Sequence, residues 1–168
     1  FFPPFLDDDE GEEIINKQPI PGHLRRPKEE IKADDYRDET YAPDRILEEA
    51  LEFLDKNKDS PFFLYLPFVE PHVAMHPPQE WIDRYPKEWD QEKGPYRGQN
   101  GYLPHPRPRA GYAAMISDLD EHVGTILQRL KKYGLDENTI VVFTSDNGTT
   151  HPSRDPKFHV GGVDAPFF

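Results

Sequence analysis

The sequence predicts an α/β fold with mostly parallel, buried strands and flanking helices. Two short apolar runs, "PFFLYLPF" at 61–68 and "IVVFT" at 140–144, are each preceded by a segment of helical periodicity. Unbroken apolar runs rich in β-branched and aromatic residues fit interior strands covered on both faces better than half-exposed ones. Helix, strand, long connection with helix, and strand again imply parallel neighbours joined by a right-handed crossover.

The first helix is expected over roughly Pro43 to Asn57. Pro43 suits a first turn, and Asp44, Glu48 and Glu49 complement its positive end. Ile46, Leu47, Ala50, Leu51 and Leu54 form one stripe. The second begins near Ala110, where Tyr112, Ile116, Leu119, Val123, Ile126 and Leu130 alternate steps of four and three along one helix face. Gly134 is placed to end it in a left-handed conformation. Between Val69 and Arg109, prolines and glycines leave room only for short helical turns, such as one around Gln79 to Tyr85. Loops of this length in compact proteins commonly carry function. Its Trp81, Tyr85, Trp89, Tyr96 and Tyr102 either anchor it to the body, the favoured reading, or stack on a ring of a ligand.

Three regions follow from this pattern. Residues 1–42 are an irregular acidic surface segment interrupted by five prolines, residues 43–150 the α/β core portion, and residues 151–168 a loop beyond the second strand. The chain of 168 residues has a formal charge of −12, and in residues 1–60 Asp and Glu outnumber Lys and Arg by 18 to 9. That balance argues against nucleic acid as a partner, because neutralising phosphates needs a surplus of cations. The run "DDDEGEE" lacks the spacing of an EF-hand and reads as a solvated segment. No stretch approaches the roughly 20 apolar residues that span a bilayer, so no membrane role is expected of these residues. Zero cysteines exclude disulfides, thiolate zinc sites and a cysteine nucleophile within the chain.

In parallel sheets, ligands gather beyond the carboxyl ends of strands, where the loops converge. "SDNG" stands at such an end. Asp146 and Asn147 offer hard oxygens suited to Ca²⁺ or Mg²⁺, and Gly148 permits a sharp turn. The same residues also favour a plain turn, so both readings stand on chemistry alone. "PFVEPHVAMHPP" puts His72 and His76 beyond the other strand. A two-histidine zinc helix is disfavoured there by Pro71, Pro77 and Pro78 and by the missing glutamate of HExxH.

Three stretches, "SPFFLYLPFVEPHVAMHPP", "YAAMISDLDEHVGTILQRLKKYGLDENTIVVFTSDNG" and "FHVGGVDAPFF", resemble the sulfatases, in particular bacterial arylsulfatases of the alkaline-phosphatase-like superfamily. The resemblance covers roughly residues 40–168 and implies part of a three-layer sandwich. It implies a calcium-dependent sulfuric ester hydrolase whose formylglycine nucleophile is made from a C/S-x-P-x-R motif, with Ca²⁺ preferred over Mg²⁺. On this sequence it matches Asp146 and Asn147 to metal ligands and His72 to a catalytic donor to the sulfate. The substrate would be a sulfated small molecule or glycan, and the location the periplasm or the cell exterior; oligomeric state is not indicated. The family's paired N-terminal aspartates, its formylglycine motif and its later lysine find no match. "THPSR" at 150–154 offers Thr150 where the motif needs Cys or Ser. These residues are therefore expected to be a central piece of a longer enzyme, with negligible turnover alone. Two rivals are a phosphodiesterase or phosphonate hydrolase of the same superfamily, using zinc or manganese, and a truncated module that binds without chemistry.

Overall fold

The computed structural model describes residues 40–72, 75–91, 95–96 and 105–148, together with the backbone of 5–8 and 11–14. In chain order the elements are β1 (Phe5–Asp8), β2 (Gly11–Ile14), α1 (Ala42–Asn57), α2 (Gln79–Ile82), α3 (Glu88–Gln91), α4 (Pro108–Lys132) and a 3-10 turn at Asp136–Asn138. The "THPSR" motif, the trailing "FHVGGVDAPFF" stretch and most of the acidic segment lie outside the described residues. Within that segment, β1 and β2 form an antiparallel hairpin pairing Phe5 with Ile14 and Asp8 with Gly11.

Both long helices form where periodicity puts them. α1 opens on Pro43 with Asp44 in its first turn and Lys56 in its last, which favours each end of the helix dipole. It buries Ala50 and Leu54. Exposed pairs such as Arg45–Glu49 at 2.7 Å line the outer face and, being solvated, add little stability. α4 ends in a Schellman motif: Leu135 N–H donates to Leu130 O and Gly134 N–H to Lys131 O, each at 3.0 Å, with Gly134 at φ 68°.

α1 and α4 run side by side in the same direction. The start of α1 meets α4 through Asp44 and His122, and its end through Asp55, which takes hydrogen bonds from Arg129 and, at 2.6 Å, from the Tyr133 hydroxyl. Each helix feeds one apolar run.

Those runs differ from expectation. Residues 61–69 and 139–145 are extended but have no strand partners among the described residues. Phe63 is 87% exposed and Ile140 93%, where interior strands were predicted. An isolated extended segment cannot satisfy its ladder bonds or cover two faces, and neither run pairs with the other. Burial alternates along the first run: Phe62, Leu64, Leu66 and Phe68 are half-buried, with Phe62 against Phe53 of α1 and Phe68 against His122 of α4.

The long connection is pinned to α4. Trp81 and Ile82 of α2 pack on Ala110 and Ala114, with Tyr85 against them. The Tyr85 hydroxyl bonds to Ala113 O at 3.1 Å and Ser117 Oγ at 2.5 Å. Tyr96 pairs with His105 in an isolated antiparallel bridge and packs against Met75 and Met115. The aromatic residues Trp81, Tyr85 and Tyr96 thus act as anchors.

The face that α4 buries is not its apolar stripe. Ile116 is 44% exposed, whereas the buried line runs through Gly111, Ala114, Met115, Asp118 and His122. Helical geometry turns about 100° per residue, so this line lies roughly a quarter-turn from the apolar one. On this line the helix carries Asp118 and His122 inward, and Arg109 is buried in its first turn.

Candidate functional site

The sequence-predicted residues stand at the ends of the two extended segments. His72 lies on the turn after the first, exposed, with its backbone N–H donating to Val69 O at 3.0 Å. Asp146 and Asn147 form the bend after the second and are also exposed. Ser145 Oγ donates to Asn147 O at 2.6 Å, and Asn147 Nδ2 donates to Gly148 O at 2.8 Å. The amide nitrogen is thus engaged locally, and the Asp146 carboxylate and Asn147 Oδ1 remain as oxygen donors. Their chemistry fits a hard cation, though two side chains fall well short of the six to eight oxygens that calcium takes.

His76 does not join His72 in a zinc pair. It is buried beside His105, ring centroids 5.0 Å apart, and His105 Nδ1 accepts the Arg107 backbone N–H at 3.0 Å. This part of the connection passes so close to α4 that a Cβ on Gly111 would sit 3.0 Å from Met75 O.

A different constellation is gathered between α1, α4 and the end of the first extended segment. Asp118 and His122, one turn apart on α4, face Asp44 in the first turn of α1. His122 Nε2 is 3.1 Å from Asp44 Oδ1 and 3.6 Å from Asp118 Oδ1. Phe68 stacks on the imidazole at 5.9 Å between centroids, and Glu70, two residues on, lies near enough for the charges of Asp118 and His122 to act on its carboxyl. Glu70 and Asp118 are buried, as is Tyr41 just before α1.

The electrostatics follow from this burial. Desolvation pushes the Glu70 carboxyl up to about 7, against a lowering by its own backbone amide, and the charge of Asp118 adds to the rise. Burial likewise raises Asp118 to about 6, opposed by His122 and assisted by Asp44. At His122 burial lowers the pKa, but the Asp44 hydrogen bond and the surrounding carboxylates outweigh it and the net shift is upward. Tyr41 is raised above the tyrosine range by burial first and then by the three neighbouring carboxylates. Sequence reasoning missed this group because polar positions on an amphipathic helix are read as its wet face. The available signal was the i, i+4 spacing of Asp118 and His122, which puts them on one face wherever that face points.

A sulfatase family profile matches residues 2–168. The arylsulfatase of Klebsiella aerogenes is 30% identical over 122 residues, covering 54% of this chain and 26% of that protein. The human N-sulphoglucosamine sulphohydrolase is 31% identical over 132 residues, 68% of this chain and 26% of the relative. A sulfatase named YdeN from Escherichia coli K12, uncharacterised, is 36% identical over 110 residues, 64% of this chain and 17% of that protein. The chain spans about a quarter or less of the length of these relatives. The fold class expected of such proteins is α/β, and the helices described above are its helical part. With a profile match over almost every residue, the chain belongs to the sulfatase family.

Proposed function

We propose that the protein containing these residues hydrolyses sulfuric esters, with His72, Asp146 and Asn147 on the sulfate-binding side of its sheet. The observation that carries the reading is the family match over residues 2–168, with relatives named as arylsulfatase and N-sulphoglucosamine sulphohydrolase. Structural support comes from the parallel run of α1 and α4. Two helices with one direction feed two extended segments, and if those become parallel strands of a larger three-layer sheet, their following turns share one rim. His72 follows one of these segments and Asp146 the other.

In this reading Asp146 and Asn147 supply oxygens to a calcium ion whose remaining ligands come from elsewhere in the protein. Bound there, the ion would offset charge on the sulfate oxygens. His72 donates a hydrogen bond to the sulfate and a proton to the departing oxygen, the work of a general acid. The exposed position of His72 leaves it accessible to an ester. The nucleophile, a formylglycine, lies outside the 168 residues, because the chain has no cysteine and none of its serines begins an S-x-P-x-R motif.

The substrate class is a sulfated small molecule or glycan. A relative from Formosa agariphila named ulvan-active sulfatase, 32% identical over 118 residues, supports the glycan side. The same reading puts the enzyme in the periplasm or outside the cell, where polymeric substrates are met. No helix among the described residues is long and apolar enough to cross a membrane. The test is to incubate the intact enzyme with an aryl sulfate, a panel of sulfated oligosaccharides and an aryl phosphodiester. Sulfate release from at least one ester, lost on calcium chelation, is expected. Turnover of the phosphodiester alone would assign the protein to the other branch of the superfamily.

A further inference from the structure

We infer that Asp44, Asp118 and His122, with Glu70 beside them, form a binding site for a divalent transition-metal ion that ties α1 to α4. This goes beyond the sulfatase reading, and none of its residues is one assigned to sulfate or calcium above.

Geometry comes first. One donor atom from each of Asp44, Asp118 and His122 lies within 4.8 Å of the others. The nearest separations, 3.1 Å from His122 Nε2 to Asp44 Oδ1 and 3.6 Å to Asp118 Oδ1, bracket the spacing of neighbouring donors around a tetrahedral ion. With zinc–ligand bonds of about 2.0–2.1 Å, that spacing is roughly 3.3–3.4 Å. The Phe68 ring holds the imidazole in place from the side.

Unsatisfied donors come second, and they separate this reading from a plain histidine–aspartate pair. One Nε2–H serves one oxygen, which accounts for Asp44 alone. Asp118 is 2% exposed, and its Oδ2 lacks a hydrogen bond of normal geometry although the buried Tyr41 hydroxyl interacts with this carboxylate; Glu70 is 8% exposed and neither of its oxygens has a partner from another described residue. Buried carboxylates without partners are expensive, and a cation is one of the few things that compensates them. Three carboxylates face one imidazole here, so a dication balances the group where a single proton does not. Asp44, half-exposed, leaves an approach from solvent.

The donor set selects the metal. One imidazole with carboxylates suits Zn²⁺ or Mn²⁺, whereas calcium and magnesium favour oxygen alone. The cation would join the first turn of α1, the middle of α4 and the turn that leads to His72, and so fix where that turn sits.

The full chain, stripped with chelator and dialysed against Zn²⁺ or Mn²⁺ alone, tests this through metal content, affinity and melting temperature. Wild type and Asp146→Asn are both expected to retain one equivalent of metal and to melt at a higher temperature with it than without. Asp118→Asn with His122→Gln should lose that equivalent. Asp44→Asn, at a half-exposed helix start, is expected to keep the fold by circular dichroism and to weaken binding by more than the ~10–100-fold that loss of an outer hydrogen-bond partner costs. X-ray absorption of the bound ion should show a single imidazole. A wild type that binds neither metal, an Asp44→Asn variant with unchanged affinity, or loss of the equivalent in Asp146→Asn would overturn the assignment. None of these readouts involves sulfatase activity.

Discussion

Asp55 near the end of α1 and Tyr133 just past the end of α4 meet through a 2.6 Å hydrogen bond across 78 residues of chain, the same offset at which Asp44 meets His122. A constant offset means that the two helices run parallel and in register over eleven residues. Each helix leads into one apolar segment, 61–69 after α1 and 139–145 after α4.

Asp90 fixes the start of α4 from another element. Its Oδ1 accepts the Arg109 N–H at 2.8 Å and its Oδ2 the Ala110 N–H at 3.4 Å, standing in for the side-chain cap that Arg107 does not provide. Asp90→Ala should destabilise the chain by about 1 kcal/mol, within the 0.5–2 kcal/mol seen for lost caps. Asp90→Asn, which keeps an acceptor, should cost less. Chemical denaturation midpoints check the order.

Gly111 lies where the connection crosses α4, and a methyl group there would press on Met75 O at 3.0 Å and the His105 ring at 3.3 Å. Backbone cannot yield cheaply, so Gly111→Ala is expected to cost about 1–3 kcal/mol, as overpacking does. The control is Gly124→Ala, which meets nothing within 4 Å and should be neutral or stabilising by a few tenths of a kcal/mol up to about 1 kcal/mol through helix propensity. A loss in Gly124→Ala equal to that in Gly111→Ala would remove the close-approach explanation.

Metal-free protein should be more stable at pH 5 than at pH 8. Glu70 and Asp118 have folded pKa values of about 7 and 6, above the ordinary carboxylate range, and His122 is also shifted upward. For all three the folded state holds more protons than the unfolded state, so stability is present at the acid end and falls as pH rises through the folded pKa values. The summed change is on the order of a few kcal/mol. Melting temperatures in chelator between pH 5 and 8 measure it, and Glu70→Gln should flatten the profile. Stability that rises with pH across this range would contradict the burial of these carboxyls.

Phe63, Tyr65 and Ile140 to Phe143 present an uncovered apolar surface among the described residues. Extended, unpaired and hydrophobic segments template association. The 168-residue chain should therefore self-associate at micromolar concentration, and Val142→Lys, at a position 78% exposed, should raise its monomer fraction in sedimentation velocity.

Much of the helical architecture was legible because local signals carry it. Pro43, the Leu54 stripe, the Ala110 start and the Gly134 stop place α1 and α4 within two residues of their observed ends. The buried strands expected at 61–68 and 140–144 are absent among the described residues, because strand pairing and burial depend on neighbours that a local pattern does not supply. The inward face of α4 misled for a related reason. Tyr112, Ile116 and Leu119 mark the face that a sheet would cover, while the face against α1 uses small and charged residues. Asp118 and His122 look solvated until the position of α1 is known. His72, Asp146 and Asn147 rest on chemistry and family resemblance, whereas the Asp44, Asp118 and His122 group was not legible from the sequence.

The account turns on His72 and Asp146 acting on one sulfate, and a double-mutant cycle in the intact enzyme tests that most directly. The measurement is kcat/KM for an aryl sulfate in wild type, His72→Ala, Asp146→Ala and the double variant. Each single change should lower the rate by at least about 100-fold, general acid catalysis alone being worth about 10²–10⁴. The double variant should lose much less than the product of the two, because groups that share a partner are coupled. Losses that multiply, or a single variant that keeps the wild-type rate, would contradict the shared site.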